Sequence, residues 1–167
     1  MIQKIIVTEG KTDGLLLEKM FSGLNNIKIM AASGYSSALS LASSILSHHK
    51  KPVLLLLDAD SNDKTDIEKR YQFVENYLNM ATPGAIFKVI LFEPKMEAVL
   101  FEDAKVAEYL KDCPLRKIDF ASVRSNPKEW LVLKKTVSDL VLKLNSGDIS
   151  RLRQLDIFKR IESFIRS

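Results

Sequence analysis

In the first part of the chain, the spacing of hydrophobic residues alternates between that of a strand and that of a helix. Short apolar runs of strand length are each followed by a longer stretch in which apolar residues recur at helical spacing. The predicted strands are Lys4–Thr8, Ile27–Ala31, Val53–Leu57 and Phe87–Phe92. The predicted helices between them cover Leu15–Phe21, Ser36–Ser47 and Asp66–Met80. We expect the side chain of Thr12 or Asp13 to cap the first helix, because both can accept from free first-turn amides.

After Glu93–Pro94 the period stays helical. The predicted helices there are Glu97–Leu110, Pro127–Leu144 and Asp148–Ile165. Alternating strands and helices predict an α/β fold, a Rossmann-like open sheet of about four mostly parallel strands with flanking helices. Val53–Leu57 is apolar on both faces, as a central strand of such a sheet should be. We expect residues 1–100 to form this domain and residues 101–167 to form a helical C-terminal extension packed on or beside it.

Composition excludes several classes of protein. Of the 167 residues, 46% are hydrophobic, which is too many for a disordered chain. No apolar run approaches the roughly 18 residues of a membrane span. The single cysteine, Cys113, excludes a disulfide framework and a cysteine-rich zinc site. The first residues lack the layout of a signal peptide, so we expect a cytoplasmic protein with no membrane partner.

The net charge of +4 is unevenly distributed. Residues 1–94 contain 10 basic and 10 acidic side chains, whereas residues 95–167 contain 15 and 11. A basic face on the C-terminal helices could track a nucleic-acid backbone or dock a partner subunit, and their apolar stripe could be core or the seam of a homodimer. The candidate nucleic-acid-binding residues are Lys134, Lys135, Arg151, Arg153, Lys159 and Arg160.

Carboxylates follow three of the four predicted strands. Glu9 comes after the first strand, Asp58 and Asp60 after the third, and Glu93 and Glu97 after the fourth. In an open α/β sheet the functional groups gather at the carboxyl ends of the strands. Acids that meet there raise each other's pKa unless a cation lies among them, and Mg²⁺ prefers such oxygen ligands. The sequence therefore predicts a magnesium site at this edge, at which Mn²⁺ could substitute.

Three general motifs fit this pattern poorly. Gly10–Thr12 resembles the end of a phosphate-binding P-loop, but the glycine required five positions earlier is Ile5. A phospho-receiver domain would carry paired acids after the first strand, where this chain has only Glu9. A haloacid-dehalogenase-type phosphatase uses Asp-x-Asp with the first aspartate as nucleophile, but usually after its first strand. A phosphatase with Asp58 as nucleophile remains a weaker alternative.

Two segments together resemble the Toprim domain of topoisomerases, bacterial primases and OLD-family nucleases. They are Val7–Asp13 (VTEGKTD) after the first strand and Asp58–Asp60 (DAD) after the third. Ser33–Gly34 is similar to the glycine segment after the family's second strand. Phe92–Glu97 (FEPKME) is similar, more loosely, to the segment after the fourth strand in OLD-like nucleases. The resemblance covers roughly residues 1–100.

The resemblance implies a role for each matching residue. Glu9 would be a general acid/base or metal ligand, and Asp58 and Asp60 would hold Mg²⁺. Asp13 would ligate the same ion or a second one, and Glu97, or less favourably Glu93, would complete a second site. Lys11 or Lys95 would contact the scissile phosphate and offset the charge that develops there.

Within this family the chain is most similar to the nuclease branch. Primases and RecR-type proteins carry zinc sites that a single cysteine cannot supply, and topoisomerases take a tyrosine nucleophile from another domain. We therefore expect a Mg²⁺-dependent nuclease that cleaves phosphodiester bonds in nucleic acid, with DNA favoured over RNA. The alternative is a non-catalytic or partner-dependent Toprim subunit of a nucleic-acid processing or defence complex, for instance beside an ATPase.

Overall fold

A computed structural model describes residues 3–100, 102–109, 135 and 137–167. Its centre is a four-stranded, all-parallel sheet with the order β2-β1-β3-β4. The strands are β1 (Lys4–Thr8), β2 (Ile27–Ala31), β3 (Val53–Asp58) and β4 (Phe87–Phe92). The predicted α/β class and all four predicted strands are confirmed, with β3 extended by one residue to include Asp58.

Helices flank both faces of this sheet. Between the strands lie α1 (Lys11–Met20), α2 (Tyr35–His49) and α3 (Lys64–Ala81). After β4 come α4 (Met96–Leu100) and α5 (Ala104–Glu108). Residues 137–143 are helical and are called α6 here, followed by α7 (Ser146–Leu152) and α8 (Asp156–Arg166). No helix among the described residues is long and apolar enough to cross a membrane.

The predicted cap of α1 is wrong. The helix begins at Lys11, so Thr12 and Asp13 lie inside its first turn and Gly10 is the N-cap residue. Asp13 instead reaches back, and its Oδ2 accepts a hydrogen bond of 2.8 Å from the backbone N–H of Gly10. The carboxylate therefore ties the end of β1 to the start of α1.

Two of the predicted C-terminal helices are each divided. The helix predicted for 97–110 becomes α4 and α5, because the side chain of Asp103 accepts from Lys105 N and Val106 N and starts a new helix. The helix predicted for 148–165 becomes α7 and α8, because backbone N–H groups of Gln154 and Leu155 bond three residues back and close α7. Half of the third predicted helix, 127–144, falls on residues 127–134 and 136, which lie outside the described residues, and residues 137–143 are helical as predicted.

The sheet has a separate hydrophobic core on each face. Successive residues of β3 point to opposite faces and all are buried, as predicted for a central strand. Val53, Leu55 and Leu57 pack with α2 and α3. Leu54 and Leu56 pack with α1 and with α4 to α8.

The C-terminal helices are part of the second core. Phe158 in α8 is fully buried, and its ring centroid lies 6.3 Å from that of Phe92 in β4. Lys4 Nζ donates 2.7 Å to the backbone oxygen of Phe164, so the start of β1 holds the end of α8. Leu152, Phe158, Ile161 and Ile165 are all buried in this chain, which makes the predicted apolar stripe core rather than an exposed dimer seam.

This arrangement predicts the effect of removing the Phe158 ring. The variant Phe158→Ala should lose about 3–5 kcal/mol of unfolding free energy, since a buried aromatic leaves a cavity behind. Urea unfolding followed by circular dichroism measures the change. As a control, Leu142→Ala on the exposed side of α6 should cost less than about 0.5 kcal/mol. A loss of under 1 kcal/mol for Phe158→Ala would mean that α8 does not pack on β4 in solution.

Candidate active site

Four carboxylates line one cavity at the carboxyl edge of the sheet. Glu9 follows β1, Asp58 ends β3, Glu97 lies in α4 after β4, and Asp13 projects from the first turn of α1. The cavity has a volume of about 320 Å³. Its other lining residues are Gly10, Lys11, Thr12, Ala32, Ser33 and Gly34.

Backbone hydrogen bonds fix the two loops that carry the β1 and β2 side of the cavity. The N–H of Gly34 donates 2.9 Å to the carbonyl of Glu9, which joins the loop after β2 to the loop after β1. Gly34 has φ of 108°, a conformation that residues with a Cβ rarely adopt. Its freedom lets the chain turn directly from β2 into α2 beside Glu9.

The loops after β3 and β4 are joined in the same way. Ala59 N donates 2.8 Å to the carbonyl of Phe92, and Asp60 N donates 2.9 Å to that of Pro94. Asp60 itself has a φ of 54°, in the left-handed region that aspartate tolerates better than most residues. The backbone N–H of Met96 donates 3.0 Å to Oδ1 of Asp58. The segment that carries Lys95 is therefore held against Asp58 and Asp60.

Lys95 bridges the two aspartates after β3. Its Nζ lies 2.5 Å from Oδ1 of Asp60 and 3.4 Å from Oδ2 of Asp58, and the residue is only 7% exposed. Burial disfavours its charge, but Asp58 and Asp60 more than compensate and raise the pKa of Lys95. On the other side of Asp60, Oδ2 accepts 3.1 Å from Arg70. Neither Asp60 nor Lys95 lines the cavity.

Burial and mutual repulsion destabilise the charges of the cavity carboxylates. Burial raises the pKa of Asp13 well above its usual value, and Glu97 and Asp58 raise it further. Burial and the nearby Asp58 raise the pKa of Glu9. Burial also raises the pKa of Asp58, although Lys95 opposes this. Within the described residues, no lysine or arginine forms an ion pair with Glu9 or Asp13.

The chemistry of these donors fits a hard divalent cation. Several buried carboxylate oxygens share one cavity and repel each other, and Mg²⁺ or Mn²⁺ would relieve that repulsion. As they stand, however, no three His, Cys, Asp or Glu side chains in the described part of the chain are gathered closely enough to hold an ion. Asp13 is turned toward Gly10 N, and Asp58 accepts from Met96 N. Side-chain rearrangement would have to accompany ion binding.

The cavity also borders the N-terminal ends of two helices. Gly10, Lys11 and Thr12 begin α1, and Ser33 and Gly34 lead into α2. Free first-turn amides and the helix dipole favour an anion at such ends. The cavity lining therefore combines carboxylates, which favour a cation, with helix N-terminal ends, which favour an anion.

Arg70 and Tyr35 also lie at this edge, and neither is among the predicted site residues. The guanidinium carbon of Arg70 lies 4.3 Å from the centre of the Tyr35 ring, and Nη2 bonds to Asp60. The pair joins α3 to the start of α2 beside Glu9. No local signal separates Arg70 from its neighbour Lys69, which is exposed on the same helix. Its role depends on the tertiary fold.

The remaining predicted site residues differ in exposure and in their contacts. Exposed Glu93 does not line the cavity, whereas Lys11 does. Of the basic candidates, Arg160 and Lys135 are exposed, and Lys134 lies outside the described residues. Arg153 pairs with Glu162 at 2.8 Å, and Lys159 lies 3.7 Å from Asp156.

Arg151 joins two helices through ion pairs. Its Nε donates 2.9 Å to Asp103, the cap of α5, and its Nη2 donates 2.6 Å to Asp148 in the first turn of α7. Although burial opposes ionisation of both acids, hydrogen bonds from Arg151 and from nearby backbone amides lower the pKa of Asp103 and Asp148. The guanidinium of Arg151 is therefore paired with two carboxylates of the same chain.

No protein-family model, curated protein or solved structure matches this chain. The fold and cavity define an α/β protein with a carboxylate-rich site at the carboxyl edge of a parallel sheet. Any more specific activity is inferred from the geometry of that site.

The burial of Asp13 among other carboxylates should make its charge unfavourable for folding. The variant Asp13→Asn should raise the unfolding free energy at pH 7, without divalent cations, by about 1–3 kcal/mol, because it removes a buried charge and keeps an oxygen for Gly10 N. In 10 mM Mg²⁺ the wild type should gain stability over the variant. Thermal unfolding measures both, with exposed Asp139→Asn as the matched control. Lower stability of Asp13→Asn without cations would show that the Asp13 charge is well compensated.

The ion pairs of Arg151 predict a pH-dependent stability. The variant Arg151→Met should unfold at a temperature several degrees lower at pH 7. Since the folded-state pKa values of Asp103 and Asp148 are lowered, this stabilisation is present above their usual value of 3.8 and is lost as pH falls through the lower folded values. The difference from wild type should therefore shrink near pH 3. The control Lys159→Met, whose partner Asp156 is exposed, should show no difference at either pH.

Proposed function

We propose that the chain is a Toprim-type, divalent-cation-dependent hydrolase that cleaves phosphodiester bonds in nucleic acid. One observation carries this proposal: a single cavity is lined by four carboxylates and by the N-terminal ends of two helices. A cation and a phosphate group bound side by side are what phosphodiester cleavage requires. DNA is the first substrate to test and RNA the second, and the proposed location is the cytoplasm.

Glu9, Asp13, Asp58 and Glu97 are the residues that would hold Mg²⁺ or Mn²⁺. When bound, the cation supplies charge neutralisation for the phosphate and for the oxygens that attack and leave. Each of these four residues comes from a different structural element, and the elements are tied together by the loop hydrogen bonds. A rigid sheet edge can therefore present several like charges that isolated loops could not keep together.

The other residues of the cavity have roles in binding and proton transfer. The first-turn amides of α1 and α2 orient the phosphate, and Lys11 at the cavity wall balances its charge. Glu9, whose pKa burial and Asp58 raise, can hold or accept a proton as general acid/base. Lys95 was the other candidate for contact with the phosphate, but its ammonium is engaged by two carboxylates. Lys11 therefore suits that contact better.

A partner-dependent subunit is the second candidate function. The carboxylates line one cavity, but no three of them in the described part of the chain lie close enough together to hold an ion. A partner protein such as an ATPase, or a second copy of this chain, could bring about the rearrangement that binding requires. The phosphatase alternative has less support, because both oxygens of Asp58 accept hydrogen bonds, from Met96 N and from Lys95.

Cleavage assays test the proposed function. Wild-type protein with Mg²⁺ or Mn²⁺ should cut plasmid, single-stranded DNA or RNA, and EDTA should abolish cutting. Glu9→Gln and Asp58→Asn should each reduce the rate by at least about 100-fold, since the first removes the proposed general acid/base and the second a proposed cation ligand. The control Asp139→Asn should cut like wild type.

If folded wild type binds Mn²⁺ but cuts none of these substrates, alone or with a partner ATPase, the catalytic proposal is wrong. If it cuts equally well in EDTA, the cation dependence is wrong.

A further inference from the structure

Every carboxylate oxygen of Asp58 and Asp60 accepts a hydrogen bond from the protein. Oδ1 of Asp58 accepts from Met96 N, and Oδ2 of Asp58 and Oδ1 of Asp60 accept from Lys95. Oδ2 of Asp60 accepts from Arg70. The pair of acids expected to hold a cation is therefore already bridged by an ammonium group.

Lys95 is built into this position. Lys95 is only 7% exposed. Its neighbours are held on both sides, because Pro94 O accepts from Asp60 N and Met96 N donates to Asp58. Arg70 supports the far side of Asp60 while packing on Tyr35. These contacts come from β3, α3 and the segment between β4 and α4, so the ammonium position is set by the tertiary fold.

The cavity side of the site is different. Glu9, Asp13 and Glu97 line the cavity together with Asp58, whereas Asp60 and Lys95 lie outside it. Asp58 stands at the boundary, because it lines the cavity and also contacts Lys95. The acids of this edge thus form two groups that share Asp58: the pair bridged by Lys95, and the four that line the cavity.

We propose that Lys95 serves as the built-in counter-ion of Asp58 and Asp60, so that the site takes one divalent cation on the cavity side and Asp60 is not a ligand. This inference rests on the proposed function, because it takes from it that a cation binds in the cavity. A second divalent cation between Asp58 and Asp60 would have to displace an ammonium held by two carboxylates, and the two positive charges repel each other. Lys95 thereby sets the number of ions at the site.

Counting bound Mn²⁺ tests this inference without any activity assay. Equilibrium dialysis with Mn²⁺ quantified by electron paramagnetic resonance should give one ion per wild-type chain. The variant Lys95→Met, which keeps the length of the side chain and removes the charge, should bind two. The matched control Lys11→Met removes a lysine from the same site and should still bind one.

The outcomes separate this inference from the proposed function. Two ions on wild type, or no gain in Lys95→Met, would overturn the role of Lys95 and leave a cation-dependent enzyme possible. No ion on wild type but one on Lys95→Met would support the role of Lys95 and contradict the proposed function. No ion on either would overturn both.

A second variant decides the question if Lys95→Met fails to fold. Asp60→Asn in the wild-type background should change the Mn²⁺ dissociation constant by less than about twofold, whereas Asp13→Asn should weaken binding by about tenfold or more. If Asp60→Asn weakens binding as much as Asp13→Asn, Asp60 is a ligand and the inference is wrong. Circular dichroism confirms that both variants are folded.

Discussion

Repulsion between carboxylates at one edge of a buried parallel sheet is the constraint on which this site depends. Parallel strands present their carboxyl ends together, and here those ends carry Glu9, Asp58 and Asp60, with Asp13 and Glu97 added by the first turns of helices. Such acids would drive the loops apart unless the fold compensated for them. Hydrogen bonds between loops, and Lys95 and Arg70 beside Asp60, supply part of that compensation. Burial raises the pKa of Glu9 and Asp13, and the remaining repulsion among the carboxylates that line the cavity raises it further.

The rest of the fold keeps this edge rigid. Helices α2 and α3 cover one face of the sheet, and α1 with the C-terminal helices covers the other. The C-terminal helices share their core with β3 and β4, the strands that lead into Asp58 and Lys95. Arg151, which looked like a nucleic-acid contact in the sequence, instead joins α5 to α7. The second core therefore supports the site and also reaches it, because Ser138 Oγ in α6 lies 3.2 Å from Thr12 Oγ1 at the cavity wall.

Local pattern was sufficient to predict the sheet and insufficient to predict the details of the site. Short apolar runs located the strands, most clearly Val53–Leu57, where burial on both faces leaves a continuous signal. The cap of α1 and the breaks in the C-terminal helices were missed, because they depend on individual side-chain bonds such as those of Asp13 and Asp103. The placement of Glu9, Asp13, Asp58 and Glu97 around one cavity followed from topology. The bridge formed by Lys95, and the presence of Arg70, required the tertiary structure.

The proposed function requires that the cavity carboxylates hold a divalent cation. Anomalous diffraction from crystals grown with Mn²⁺ tests it most directly, because the signal locates each ion and identifies its ligands. We expect one peak, coordinated within the set Glu9, Asp13, Asp58 and Glu97, with Lys95 still bridging Asp58 and Asp60. A peak between Asp58 and Asp60 with Lys95 displaced, or no peak at this edge at saturating Mn²⁺, would contradict it.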